Sequence, residues 1–393
     1  MSGLLRAVSL ASLLFLSACV SRPVAPPQPQ QPPVQPVRPT PQPPKPPPPA
    51  NAVQAGVRLV PPMALEERFA AKALDAFKVS CPSVTRRNDK SGLANPADWA
   101  GVCSAAKSVP PGGAASFFYN AFDWVRVGDG KAFATGYFEP EIAASPVRAP
   151  GYTVPIYAVP SDLTRCYGAE GKGRGRVDHQ GQCVLYYSRA EIEDGALANR
   201  GLEIAWAADP IELFFLHIQG SGRLRFPDGT IERIGYADQN GRDYVAIGRL
   251  LRERGVLPPG GASMQSIVAW MRANPDQARA LMRENLSYIF FKELKGPGPL
   301  GAMGLPVTPR ASVAADPNFI PLGAPVLLML DRPEAWGMWV AQDTGGAIKG
   351  ANRVDTFWGA GEEARHIAGG MSASGQALIL LPKGSAARAL ARP

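Results

Sequence analysis

The chain has 393 residues, of which 46% are hydrophobic and 19% charged, enough to bury a core and incompatible with disorder throughout. Its 41 Pro and 41 Gly disfavour an all-helical fold and point to strands and turns. Half of the formal charge of +8 comes from Arg6, Arg22, Arg38 and Lys45, in a first fifty residues without an acid; the nearly balanced remainder has no basic stripe of the kind nucleic-acid binding needs.

Met1 to Ala18 carries Arg6 and then an apolar run from Ala7 to Leu16, too short to span a bilayer and suited to a secretory signal. It ends in Leu16-Ser17-Ala18-Cys19, which resembles the bacterial lipobox, so Cys19 is the expected lipidation site. Val20 after it implies passage to the periplasmic face of the outer membrane of a Gram-negative bacterium, with acyl chains holding the chain to lipid. From Ser21 to Ala50 the sequence is mostly Pro, Gln and Val, an extended spacer, and residues 19–55 are expected to form the linker. An exported chain with Cys81, Cys103, Cys166 and Cys183 implies two disulfides. Three connectivities are open; Cys81 with Cys103 and Cys166 with Cys183 is favoured because each closes a short loop.

Leu65 to Phe77 has apolar residues at helical spacing, and Ala114 to Trp124 reads as a second short helix. Lys131 to Phe138 alternates as a strand. A β-rich region follows, with strands expected at Val154 to Val159, Cys183 to Tyr187 and Ile211 to Ile218, the last turning at Gly220-Ser221-Gly222 into a hairpin. Helical patterns at Ser263 to Arg272 and Pro275 to Glu284 precede a second run of strands from Ser287 to Leu381, among them Val326 to Leu330, Gly337 to Gln342 and Ala377 to Leu381.

Two local motifs lack their context. Gly296-Pro297-Gly298-Pro299-Leu300-Gly301 matches G-x-G-x-x-G by letter, but has prolines and no helix to receive a pyrophosphate. Ser104-Ala105-Ala106-Lys107 matches S-x-x-K without a later Lys-Thr-Gly. The histidines, His179, His217 and His366, form no metal-binding spacing. Asp343 and Asp355 differ: each follows an apolar or β-forming run, and Gly345-Gly346 between them lets the chain return the second strand beside the first. They are expected to face one cleft.

These residues carry a resemblance. Asp316 in Ala315-Asp316-Pro317-Asn318, Asp343 in Gln342-Asp343-Thr344-Gly345-Gly346 and Asp355 in Arg353-Val354-Asp355-Thr356-Phe357 resemble the 3D domain of the membrane-bound lytic murein transglycosylase A family. Upstream, Thr135-Gly136-Tyr137-Phe138-Glu139-Pro140, Ile218-Gln219-Gly220-Ser221-Gly222, Gly235-Tyr236-Ala237-Asp238-Gln239-Asn240-Gly241 and Asn285-Leu286-Ser287-Tyr288-Ile289-Phe290-Phe291 match family segments in order. The loop from Cys166 to Cys183 and the proline spacer depart from the pattern.

The resemblance implies a mainly β fold. A double-psi β-barrel with a few helices would be built from residues 56–138 and 260–393, with its 3D segment at about 295–385, and a smaller inserted β-barrel from residues 139–259. Glycan would lie in the groove between them. It implies cleavage of the β-1,4 bond between N-acetylmuramic acid and N-acetylglucosamine of peptidoglycan, with no cofactor and no metal. A cell-wall synthesis or division complex is a further expected partner. Asp355 would be the catalytic acid and Asp343 its tuning neighbour; Tyr137, Gln219, Ser221, Gly345, Gly346, Ala347, Lys349 and Trp358 would contact substrate. A glycosidase ordinarily needs two carboxyls. Here the muramyl C6 hydroxyl attacks intramolecularly, so one Asp suffices and a 1,6-anhydro product forms. The alternatives are a hydrolase using both aspartates and water, and a wall-binding lipoprotein without catalysis.

Overall fold

The computed structural model describes residues 47–166, 173–258, 261–296 and 298–391; the expected signal segment, Cys19 and most of the proline spacer lie outside the described residues. All elements below belong to the unit Pro48–Pro393. The strands are β1 (Val57–Val60), β2 (Phe122–Val127), β3 (Lys131–Glu139), β4 (Glu141–Ser145), β5 (Val154–Tyr157), β6 (Gly175–Val177), β7 (Cys183–Leu185) and β8 (Glu203–Ala207). After them come β9 (Ser221–Arg225), β10 (Ile231–Gln239), β11 (Ile289–Glu293), β12 (Ser312–Ala315), β13 (Pro325–Leu330), β14 (Gly337–Asp343), β15 (Arg353–Ala360) and β16 (Ser372–Pro382). Eleven α-helices accompany them among the described residues, so the fold is mixed α/β rather than mainly β.

The first sheet runs β1-β2-β16-β13-β14-β12-β15-β3 and is joined again through β16 and β3. Six strands, β3, β15, β12, β14, β13 and β16, thus form an unbroken ring of pairings, parallel at β3–β15 and β12–β14 and antiparallel elsewhere. The continuous apolar runs of β12 to β14 follow from this, because both faces are covered. Helix Glu67–Val84 lies against β14. Its Phe77 meets the rings of Trp99, Phe117, Phe118 and Phe122, while its Glu67 carboxylate accepts the amides of Ala114 and Ala115 at the start of helix Ala114–Ala121. That helix is shorter than the sequence pattern predicts, since Phe122–Val127 becomes β2. Cys81 is bonded to Cys103 of helix Trp99–Lys107. Within the stretch read as linker, Ala52–Ala55 forms a helical turn with Ala52 buried.

The second sheet runs β11-β10-β9-β4-β8-β5. Its end strands β11 and β5 lie against each other but share no hydrogen-bonded ladder among the described residues. Its last strand, β11, lies well beyond residue 259. The hairpin β6–β7 is closed by Cys166–Cys183. The strand expected at Ile211 to Ile218 is instead helix Pro210–Gln219. A fully apolar run does not distinguish strand from helix by period; this one is buried on two sides, Leu213 and Leu216 in the sheet core, Phe214 and Phe215 against Ile247, Leu251 and Met271. The ends decide: Asp209 caps the amides of Ile211 and Glu212, Pro210 takes the first position, and Gly220 closes the helix at φ +81°.

Gln342 ties the first sheet to its helix. Fully buried, it donates to the Ala76 carbonyl and to Ser80 Oγ, both at 2.9 Å, and accepts from Ser312 Oγ. Gln342→Leu is expected to destabilise the fold by about 2 kcal/mol by leaving buried polar groups unpaired, seen as a lower urea midpoint at unchanged slope.

Candidate active site

Asp343 and Asp355 stand in one row of the ring. Ala314 of β12 is the register partner of Asp343 on β14 and of Asp355 on β15, and Asp355 faces Thr135 on β3. Two strand spacings of roughly 4.8 Å put the aspartate backbones about 10 Å apart. The row depends on a register shift: Val313 pairs with Ala341, but Ala314 pairs with Asp343, skipping Gln342. Such a bulge re-aims side chains; here Gln342 stays in the core while Asp343 joins Asp355.

Thr135 and Tyr137, two apart on β3, share a face and reach one aspartate each. The Thr135 hydroxyl donates to Asp355 Oδ1 at 2.7 Å and accepts from Arg353 Nη2 at 2.9 Å. The Tyr137 hydroxyl donates to Asp343 Oδ2 at 3.2 Å, its ring 4.9 Å from that of Phe357. Asp343 Oδ1 also accepts the backbone amides of Ala302 and Thr344, each at 2.8 Å. Both oxygens of Asp343 are therefore engaged, whereas among the described residues Asp355 has a single hydrogen bond, on Oδ1.

Burial pushes the Asp355 carboxyl up to about 6; the Thr135 hydroxyl and Arg353 hold it down, and the Asp343 charge pushes it further up. Burial likewise raises Asp343 to about 6, against the pull of its three donors. Burial and then the charge of Asp343 and Asp355 hold Tyr137 well above the usual phenol range. Tyr244, from the loop between β10 and helix Ile247–Glu253, is raised by burial and by the Asp355 charge. The other acid nearby, Glu139, is buried in a bidentate pair with Arg233 at 2.5 and 3.3 Å.

Of the substrate contacts expected from the sequence, Tyr137 joins the aspartates directly. Gln219 Oε1 accepts the Phe138 amide at 3.0 Å, bracing β3. Ser221 begins β9 opposite Gly235, half-buried. Gly345, Gly346 and Ala347 form the loop leaving Asp343, with Gly346, Ala347 and Lys349 exposed. Trp358 does not line a groove: it is 3% exposed, its Nε1 donates to Thr356 Oγ1 and its ring meets the edge of Trp339. An alternating strand sends it to the core while Asp355 and Phe357 take the other face. Asp316 is a brace, accepting the amides of Asn318 and Gly350. Thr135, Arg353, Ala302 and Tyr244 went unnoticed in the sequence; the spacing of Thr135 to Tyr137 is the one signal that pointed to any of them.

Residues 133–292 match the model of the MltA specific insert domain and residues 311–381 that of the 3D domain. The chain is 34% identical over 251 residues to membrane-bound lytic murein transglycosylase A of Vibrio cholerae. That alignment covers 61% of this chain and 62% of the relative, less than two thirds of the relative's own length. The crystal structure of membrane-bound lytic murein transglycosylase from Agrobacterium tumefaciens superposes with a TM-score of 0.76 at 31% identity, covering 85% of this chain and 99% of that one. E. coli MltA with bound chitohexaose superposes at 0.63 and 28% identity over 83% of this chain and 94% of that one. With a fold, two domain models and near-complete structural coverage in common, the chain belongs to the membrane-bound lytic murein transglycosylase A family.

Proposed function

We propose that the chain is a peptidoglycan lytic transglycosylase that cleaves the β-1,4 bond between N-acetylmuramic acid and N-acetylglucosamine and leaves a 1,6-anhydromuramyl end, with Asp355 as the only acid and base. The observation that carries this reading is the unequal use of the two carboxylates. Asp343 spends both oxygens on fixed donors and is suited to hold charge. Among the described residues Asp355 keeps Oδ2 without a hydrogen bond, and its carboxyl is raised to about 6, which suits proton transfer near neutral pH.

Protonated Asp355 gives its proton to the glycosidic oxygen as the C1–O bond breaks and the N-acetylglucosamine hydroxyl departs. The positive charge growing at C1 lies near the carboxylate of Asp343. Asp355, now charged and held by Thr135, takes the proton from the muramyl C6 hydroxyl, whose oxygen closes on C1 and regenerates the acid. Water takes no part.

The six-strand ring with its two parallel pairings is read as a double-psi β-barrel, and the sheet that follows β3 as the opposite wall of the groove. The E. coli neighbour's bound chitohexaose supports a β-1,4-linked glycan ligand. Acylated Cys19 with its spacer would tether the chain to the outer membrane; among the described residues no helix is long and apolar enough to cross a membrane.

Digestion of purified sacculi should release products lighter by one water than hydrolysed ones, and Asp355→Asn should lower their rate by at least about 10³-fold; reducing ends in place of anhydro ends would overturn the assignment. Both buried carboxyls have folded pKa values above the ordinary 3.8, so the folded chain binds these protons more tightly and loses stability as pH climbs from about 4 to about 6. Asp355→Asn should accordingly raise the melting temperature at neutral pH and not near pH 4, which also shows the inactive variant to be folded. For the wild type, kcat/KM should fall as pH rises past about 6. Thr135 favours the charged form of Asp355, so Thr135→Val should move that falling limb to higher pH; an unmoved limb would separate Asp355 from the titration.

A further inference from the structure

A second cavity, of about 230 Å³, abuts the active site from behind Asp343 and is lined in part by Arg87, Lys90, Trp99, Leu322, Ala302 and Thr344. It shares its wall with the site: Ala302 and Thr344 are the two residues whose amides hold Asp343 Oδ1, and Arg87 Nη2 donates to the Ala302 carbonyl at 3.0 Å. One residue, Ala302, thus stands between an arginine of the cavity and a carboxylate of the active site, its amide on Asp343 and its carbonyl on Arg87.

The cavity has a definite chemistry. Its floor is apolar, with Trp99, Val84 and Leu322 buried. Its rim is cationic. Arg87 and Lys90 are exposed, and neither forms an ion pair among the described residues. The acid at the rim, Asp89, is already consumed: its two oxygens accept the amides of Ser91, Leu93 and Ala94 and the Ser91 hydroxyl. Among the described residues neither cation has a carboxylate within ion-pair distance, and an apolar pocket with such a rim suits a short carboxylate-bearing segment with small apolar side groups.

We infer that this cavity binds the peptide stem of the muramyl residue at the cleavage point, through a stem carboxylate at Arg87 and Lys90 and an alanine methyl over Trp99. The inference rests on the peptidoglycan reading above. Stems leave the muramyl ring sideways as short chains rich in carboxylates, and three extended residues span about 10 Å, sufficient to pass from a sugar at Asp343 into a cavity one residue away. The site would then favour stem-bearing strands by lowering KM, with kcat set by Asp355.

Lys90 tests this, since it touches neither aspartate nor the peptide that holds one, as Arg87 does. The full chain is assayed on glycan strands carrying stems and on the same strands stripped of them by an amidase. For Lys90→Gln, KM on stem-bearing strands should rise about threefold to fivefold with kcat unchanged, and stripped strands should be cleaved as by the wild type. Lys90→Glu should widen that difference, and high salt should shrink the wild-type preference. Equal effects on both strands, or none on either, would overturn the inference. To separate it from the cleavage assignment, affinity for stem-bearing and stripped strands is measured in the inactive Asp355→Asn chain. Loss of the stem preference there on adding Lys90→Glu supports the cavity even if anhydro products are never found, and an unchanged preference overturns it even if they are.

Discussion

The cross-strand register around Ala314 is the constraint on which the site depends. A strand presents alternate residues to opposite faces, so a slip of one residue in β15 would exchange Asp355 for Val354 or Thr356, both buried. The ring prevents this because β15 is held on both edges, by β12 and by β3, and β3 is held in turn by β16. A strand paired on both sides cannot slip without breaking two ladders at once. The other half of the constraint is the bulge that skips Gln342. Gln342 is fixed by hydrogen bonds to helix Glu67–Val84 and to Ser312, so its neighbour has one way to point.

Given the row, the two aspartates differ through what surrounds them and not through where they stand. Desolvation acts on both alike and raises both. Their hydrogen bonds separate them. Three donors converge on Asp343, two of them backbone amides that cannot turn away, and such an arrangement favours a charged oxygen pair at rest. Among the described residues Asp355 accepts one hydroxyl, that of Thr135, whose own oxygen is fixed by Arg353, and the Arg353 charge adds to the support of its charged form. A group that must lose a proton and regain it in one turnover is better served by one oriented partner than by three. The Asp343 charge adds to the upward push on Asp355, and the hydrogen bonds are what set the two carboxyls apart.

Much of this was legible in the sequence where local rules suffice. The two aspartates, each at the end of a β-forming run and separated by Gly345-Gly346, could be paired because the backbone chemistry allows one return path. Alternation marked β3 and so brought Tyr137 to the site. The failures occurred where partners are remote. Thr135 and Asp355 are 220 positions apart, and no local pattern announces a ladder closed between the two ends of a chain. The Val313–Ala314 bulge has no signature letter. Trp358, expected among the substrate contacts, lies at the parity on β15 that sends it inward beside Trp339. In the segment from Pro210 to Gln219 the apolar run suppressed the period that would have shown a helix, although Asp209, Pro210 and Gly220 all marked its ends.

The strand β3 also explains how residues of two sheets come to act at one place. Its first part is a member of the ring and carries Thr135 and Tyr137; its last residue, Glu139, is locked to Arg233 of β10, and the Pro140 carbonyl accepts the amide of Arg223 on β9. Between these, the Phe138 amide is held by Gln219 at the end of the helix that underlies the second sheet. A buried ion pair such as Glu139 with Arg233 adds little net stability, because desolvation offsets most of the attraction. Breaking it would leave a charge stranded, however, so it strongly disfavours any other angle between strand and sheet. Three attachments within three residues therefore make the second sheet a continuation of β3 and not a body on a hinge.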